Sequence, residues 1–188
     1  MAKVLILFFL SVIFIFADDE SIFKVVSFAK IKTSETVLQN YEESCGAAAL
    51  ATLMGLFGVQ KSEKDILDKT AKTDMLSFAE LSNTAKEFGF KSEGYKIDKS
   101  VFEKLTFPVI AKIEREKNYP HFVVVINQKG DFVSVLDPNF GQYFISKNEF
   151  YELWEKSKKG YILIAVPKGG IANMTFDTKI SISNFLIK

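Results

Sequence analysis

The stretch from residue 39 to residue 59, QNYEESCGAAALATLMGLFGV, decides the fold. Between Cys45 and Leu56 small and apolar residues follow one another closely, and Phe57-Gly58 supplies a stop. This composition predicts a helix buried nearly all round. The polar segment before it ends on Ser44, so the single cysteine of the chain stands in the first turn of that helix.

Working outward, Ser62-Glu63-Lys64-Asp65 and Ser77-Phe78-Ala79-Glu80 have the spacing of capping boxes and open two amphipathic helices. Asp98 caps a short helix to Leu105. Residues 22–28, IFKVVSF, read as a short strand ahead of all these helices. The second half changes character. Phe107 to Ile113 is strand-like, and HFVVVINQKGDFVSVLDP predicts two strands around a turn at Gln128-Lys129-Gly130-Asp131. Gln142 to Ile145 adds a strand, Ser146 opens a helix through Trp154, and Tyr161 to Val166 closes with a last strand. Helices followed by antiparallel strands indicate an α+β domain.

The chain has 188 residues, enough for one domain. Lys3 and the uncharged run Val4–Phe16, closed by Ala17 and followed by Asp18-Asp19-Glu20, read as a secretory signal peptide, although Ile15 stands where cleavage sites favour a small residue. The run is shorter than the roughly 20 residues a spanning helix needs. The expectation is therefore a signal peptide at 1–17, a mature chain from about Asp18 in the periplasm or outside the cell, and no stable membrane span after processing. Without Lys3 the basic residues fall from 24 to 23, equal to the acidic ones. That balance, with Arg115 the sole arginine, gives no reason to expect a nucleic-acid partner. Nothing in the sequence asks for a cofactor or a metal. Residues 168–188 read as a tail, with Gly169-Gly170 as a flexible join.

A lone thiol in an oxidising compartment is a liability unless it is buried or has chemistry to do. At a helix N-terminus the unpaired N–H groups and the dipole favour the thiolate, and the cysteine's own N–H is available to an oxyanion. Gly46 removes a side chain beside the sulfur. The alternative is a buried structural cysteine. His121 is the one histidine, hence the one imidazole able to serve as base to Cys45. Alternatively it is an inert surface or core histidine. Asp137, across the hairpin turn, falls close to opposite His121, where a carboxylate fixes the imidazole tautomer. Alternatively Asp137-Pro138-Asn139 only makes a turn, and Asn139 is a second candidate orienter. Gln39, six residues before Cys45, is placed to return a second oxyanion donor, or is simply a solvated loop residue.

Taken together, Gln39…Ser44-Cys45-Gly46-Ala47-Ala48-Ala49-Leu50, His121-Phe122-Val123-Val124-Val125 and Asp137-Pro138 resemble the double-glycine leader peptidases, a bacteriocin-processing cysteine peptidase family of the papain-like clan. The resemblance covers residues 35–166. It implies a papain-like domain at 18–167, with an N-terminal helical part carrying the cysteine and a C-terminal antiparallel sheet carrying His and Asp. It also implies that Cys45 attacks, His121 is the base, Asp137 orients it and Gln39 helps bind the oxyanion. Ser44 departs from the aspartate many members carry there. The sequence has no GxxxxGK[ST] phosphate loop, so it looks more like exported stand-alone relatives that act on peptide or protein components of secretion or functional-amyloid systems. Cleavage after small residues such as Gly-Gly is the implied reaction. The alternatives are a non-hydrolytic peptide-binding module of a secretion system and a papain-like cell-wall amidase.

Overall fold

The computed structural model describes residues 35–170 other than positions 73 and 118. The expected signal peptide, the strand at 22–28 and the tail beyond 170 lie outside the described residues. Three helices come first: α1 (Cys45–Leu56), α2 (Glu63–Thr70) and α3 (Phe78–Glu87). Then follow β1 (Phe90–Ile97), α4 (Lys99–Phe102), β2 (Val109–Glu116), β3 (Tyr119–Lys129), β4 (Phe132–Asp137), β5 (Gly141–Ser146), α5 (Lys147–Trp154) and β6 (Gly160–Pro167). This is the α+β arrangement expected.

The six strands form one sheet in the order β1-β6-β2-β3-β4-β5, with every pairing antiparallel. Alternate residues of each strand face opposite sides, and here both sides are covered. Phe122, Val124 and Ile126 join the core against α1 to α3, whereas Val123 and Val125 pack with Phe102, Phe150 and Trp154 on the other side. Burial on both faces explains the unbroken apolar run in β3.

The capping boxes at Ser62 and Ser77 are present with both reciprocal hydrogen bonds, and Asp98 caps α4, which ends at Phe102 rather than Leu105. β1 was not expected. Its sequence, FKSEGYKI, has only two fully buried positions, so the strand owes its place to eight paired residues along β6 rather than to apolar alternation.

The hairpin needs one correction. The β3–β4 turn is at Gly130-Asp131 as expected, but a bulge between Val125 and Asn127 shifts the register, so Val124 pairs with Leu136. Extending that register sets Asp137 beside Val123. His121 and Asp137 are therefore diagonal neighbours rather than opposite ones, a spacing long side chains can still bridge.

Candidate active site

α1 carries Cys45 at its first residue and packs on β3. The close approach depends on Gly46: a Cβ there would lie 3.2 Å from Phe122 Cδ2 and 3.3 Å from Leu81 Cδ1. The space beside Gly46 is thus filled by the core, not left open for the sulfur. Cys45 itself is buried. Burial alone fits the structural reading of this cysteine as well as the chemical one. Cys45 lies beside His121, near enough to favour the charged imidazole. His121 Nε2 is 2.7 Å from Asp137 Oδ1, which leaves Nδ1 as the ring nitrogen for the thiol.

Asp137 ends β4 and is fully buried. Oδ1 also accepts from the backbone N–H of Asn139 at 2.8 Å, so the same carboxylate makes the turn and holds the imidazole. Asp137 thus takes part in the turn and contacts the imidazole at once. Asn139 serves through its backbone, and the imidazole's partner is Asp137. On the other oxygen, the Tyr143 hydroxyl donates to Oδ2 at 3.4 Å, and Arg115 Nη2 lies 3.7 Å away. Arg115 in turn donates to the Tyr143 hydroxyl at 2.5 Å. Sequence reasoning missed both residues, although the solitary arginine was a signal.

The electrostatics follow from this placement. Burial opposes charge on His121, but the Asp137 hydrogen bond and the nearby Cys45 overcome it and raise the imidazole to about 9. Burial likewise works to raise Asp137, yet the His121 bond and charge, the Asn139 N–H and Arg115 hold it below its ordinary value. Burial, then the Asp137 charge, push the Tyr143 phenol well above its usual range, so it stays a donor. At neutral pH the pair is imidazolium and carboxylate.

Gln39 borders a cleft of about 500 Å³ together with His121, Glu42, Arg115 and Phe140. Its backbone N–H donates to Pro138 O at 3.0 Å, tying the segment before Cys45 to the turn after Asp137. Its side-chain Nε2 donates to Tyr41 O at 2.8 Å and Glu42 O at 3.0 Å. Both amide hydrogens are therefore engaged within the loop, and among the described residues Oε1 is buried without a partner. Ser44 occupies the N-cap position of α1 but makes no side-chain cap. Its hydroxyl turns instead to Tyr41 O, at 2.8 Å, and to Glu63. On the other flank of His121, Pro120 and Phe122 border a groove of about 1000 Å³ that runs over Phe78 to Tyr161.

Residues 33–170 match the Peptidase C39 family. The chain belongs to that family of cysteine peptidases. Among its relatives, the "Probable functional amyloid protease FapD" of Pseudomonas aeruginosa is 29% identical over 140 residues, which is 70% of this chain. The match spans 62% of the length of that relative. Among solved structures, the peptidase domain of Streptococcus ComA, a bi-functional ABC transporter, superimposes with a TM-score of 0.64 at 23% identity, covering 71% of this chain and 98% of that one. A double-glycine-motif protease from an AMS/PCAT transporter, solved with its leader peptide, gives 0.61 at 23% identity over 71% of this chain and 91% of the other. The C39 chain thus has the papain-like fold of those domains. No helix among its described residues is long and apolar enough to cross a membrane.

Proposed function

We propose that this C39 chain is an exported thiol-dependent peptidase that cuts a secreted or surface-fibre protein after small residues such as Gly-Gly. The observation that carries the reading is the imidazole of His121, held by Asp137 at 2.7 Å on one nitrogen and in contact with Cys45 on the other side. In this mechanism the Cys45 proton is carried on His121 as the sulfur attacks the substrate carbonyl carbon. The resulting oxyanion is met by the Cys45 N–H at the start of α1. The imidazolium returns the proton to the amine nitrogen as the C–N bond breaks, leaving a thioester on Cys45. Water, deprotonated by His121, then attacks the thioester and frees the acid and the thiol.

Gln39 fits as a second oxyanion donor if one amide hydrogen leaves a loop carbonyl when substrate arrives. Its place on the cleft wall supports this role. The likeness to FapD supports a fibre-related substrate, the leader-peptide complex supports cleavage at a double glycine, and the apolar run at 4–16 supports export. Comparing protein N-termini in the exported fraction of wild-type and Cys45→Ala cells tests the proposal. A terminus that appears only with intact Cys45 identifies the substrate and the bond. Identical termini in both, with peptides left uncut in vitro, contradict it.

A further inference from the structure

Glu63 is a buried carboxylate that the reaction above does not use. It is 3% exposed, at the first position of α2, where it sits far from bulk solvent but close to the segment leading into α1. Its oxygens accept from the Asn40 backbone N–H at 3.0 and 3.2 Å, from Asn40 Nδ2 at 2.5 Å, and from the Ser44 hydroxyl. Burying a carboxylate costs several kcal/mol unless it is fully hydrogen-bonded, and here the donors that satisfy it come from two residues. Asn40 follows Gln39 directly, and Ser44 precedes Cys45 directly. One side chain therefore grips both ends of the span between the candidate oxyanion amide and the candidate nucleophile. The positive end of the α2 dipole favours the charge at this position.

The grip also explains why Ser44 does not cap α1. A serine at an N-cap normally accepts from an N–H of the first turn. With its hydroxyl drawn to Glu63 and Tyr41, that side chain leaves the first turn of α1 uncapped beside the sulfur.

We propose that Glu63 is a positioning residue: it fixes the Gln39–Cys45 loop so that the amide of Gln39 and the first turn of α1 face the same reacting oxygen. This rests on the reading of Cys45 as nucleophile. Two thiol reagents separate positioning from general support of the fold. Acetyl-Gly-glycinal adds reversibly to a thiol, the S–C bond forming as the thiol proton passes to the carbonyl oxygen, and that oxygen occupies the oxyanion position. Iodoacetamide alkylates sulfur by displacing iodide and places no oxyanion there.

Glu63→Gln, which puts amide hydrogens against the Asn40 donors, is expected to weaken aldehyde binding by about tenfold or more, as for a misplacement of order 1 Å. Alkylation of Cys45 should change by less than about threefold, because the thiol and His121 remain in place. Amide exchange at Asn40 should quicken. Equal changes in both reagents, or no change in either, would overturn the positioning role. Ser44→Ala removes one bond to the same carboxylate and should show the same split in smaller measure, so a Glu63→Gln chain that fails to fold still leaves the inference exposed to refutation. The wild type tells the two claims apart: a Cys45 that is alkylated yet takes up no aldehyde defeats the peptidase reading and the positioning role with it. Normal aldehyde uptake in wild type and mutant alike defeats only the role of Glu63.

Discussion

Gly46 and Phe122, the residues that immediately follow Cys45 and His121, lie so close that a Cβ on Gly46 would come within 3.2 Å of the phenyl ring. The approach of thiol and imidazole thus depends on a packing contact one residue away on each element: α1 settles onto β3 because position 46 has no side chain.

Gly46→Ala is expected to push α1 from β3. The cost in stability should be about 1–3 kcal/mol, as for a modest overpacking of a core, measured by urea unfolding. The turnover of a cleavable peptide should fall by about tenfold or more, since small displacements of reacting groups are costly, with KM little changed. Wild-type turnover in a folded mutant would show that the separation is set elsewhere.

The His121–Asp137 pair has a pH signature. A histidine raised to about 9 adds stability that is complete below its ordinary value near 6.5 and is lost as pH rises through 9. An aspartate held below 3.8 adds stability that is present above that value and is lost as pH falls through its lower folded one. The stability difference between wild type and Asp137→Asn should therefore be greatest between 3.8 and 6.5 and shrink on either side. His121 is the only histidine, so its proton resonances report the titration directly, and the mutation should move it from about 9 toward 6.5. Turnover should fall by up to about 10⁴-fold, as when a triad carboxylate is replaced by an amide. A pH-independent stability difference would contradict the ion pair.

Gln39→Ala should lower kcat by about 10²–10³-fold with little change in KM, the effect of losing one oxyanion donor. Alkylation of Cys45 should persist. Because the side chain also donates to Tyr41 O and Glu42 O, the melting temperature should fall slightly, and the backbone bond to Pro138 should survive. Unchanged kcat would reduce Gln39 to a loop brace.

The helix at Cys45–Leu56 and the apolar strand after His121 were legible because each is a dense run of small or apolar residues bounded by a clear stop. The pairing of Cys45, His121 and Asp137 was legible because the chain offers one thiol and one imidazole. What was hidden depends on tertiary approach. Glu63 reads as an ordinary acidic residue in the first turn of an amphipathic helix, and only the arrival of Asn40 and Ser44 buries it. β1 is a polar edge strand whose place is fixed by β6. The bulge at Val125–Asn127 leaves no mark in the alternation, yet it moves Asp137 from the register of Val124 to that of Val123, diagonal to His121. The Gln39 amide could be located, but not its engagement with the carbonyls of its own loop.

In the proposed mechanism Cys45 becomes covalently acylated under the control of His121. Intact-mass measurement during cleavage of a Gly-Gly-containing peptide tests it most directly. Wild-type protein should carry a transient adduct with the mass of the acyl half of the peptide, localised to Cys45 and cleared as product forms. In Cys45→Ala both adduct and product should be absent, and in His121→Ala both should form far more slowly. Continued hydrolysis by Cys45→Ala, or an adduct on any other residue, would contradict the account.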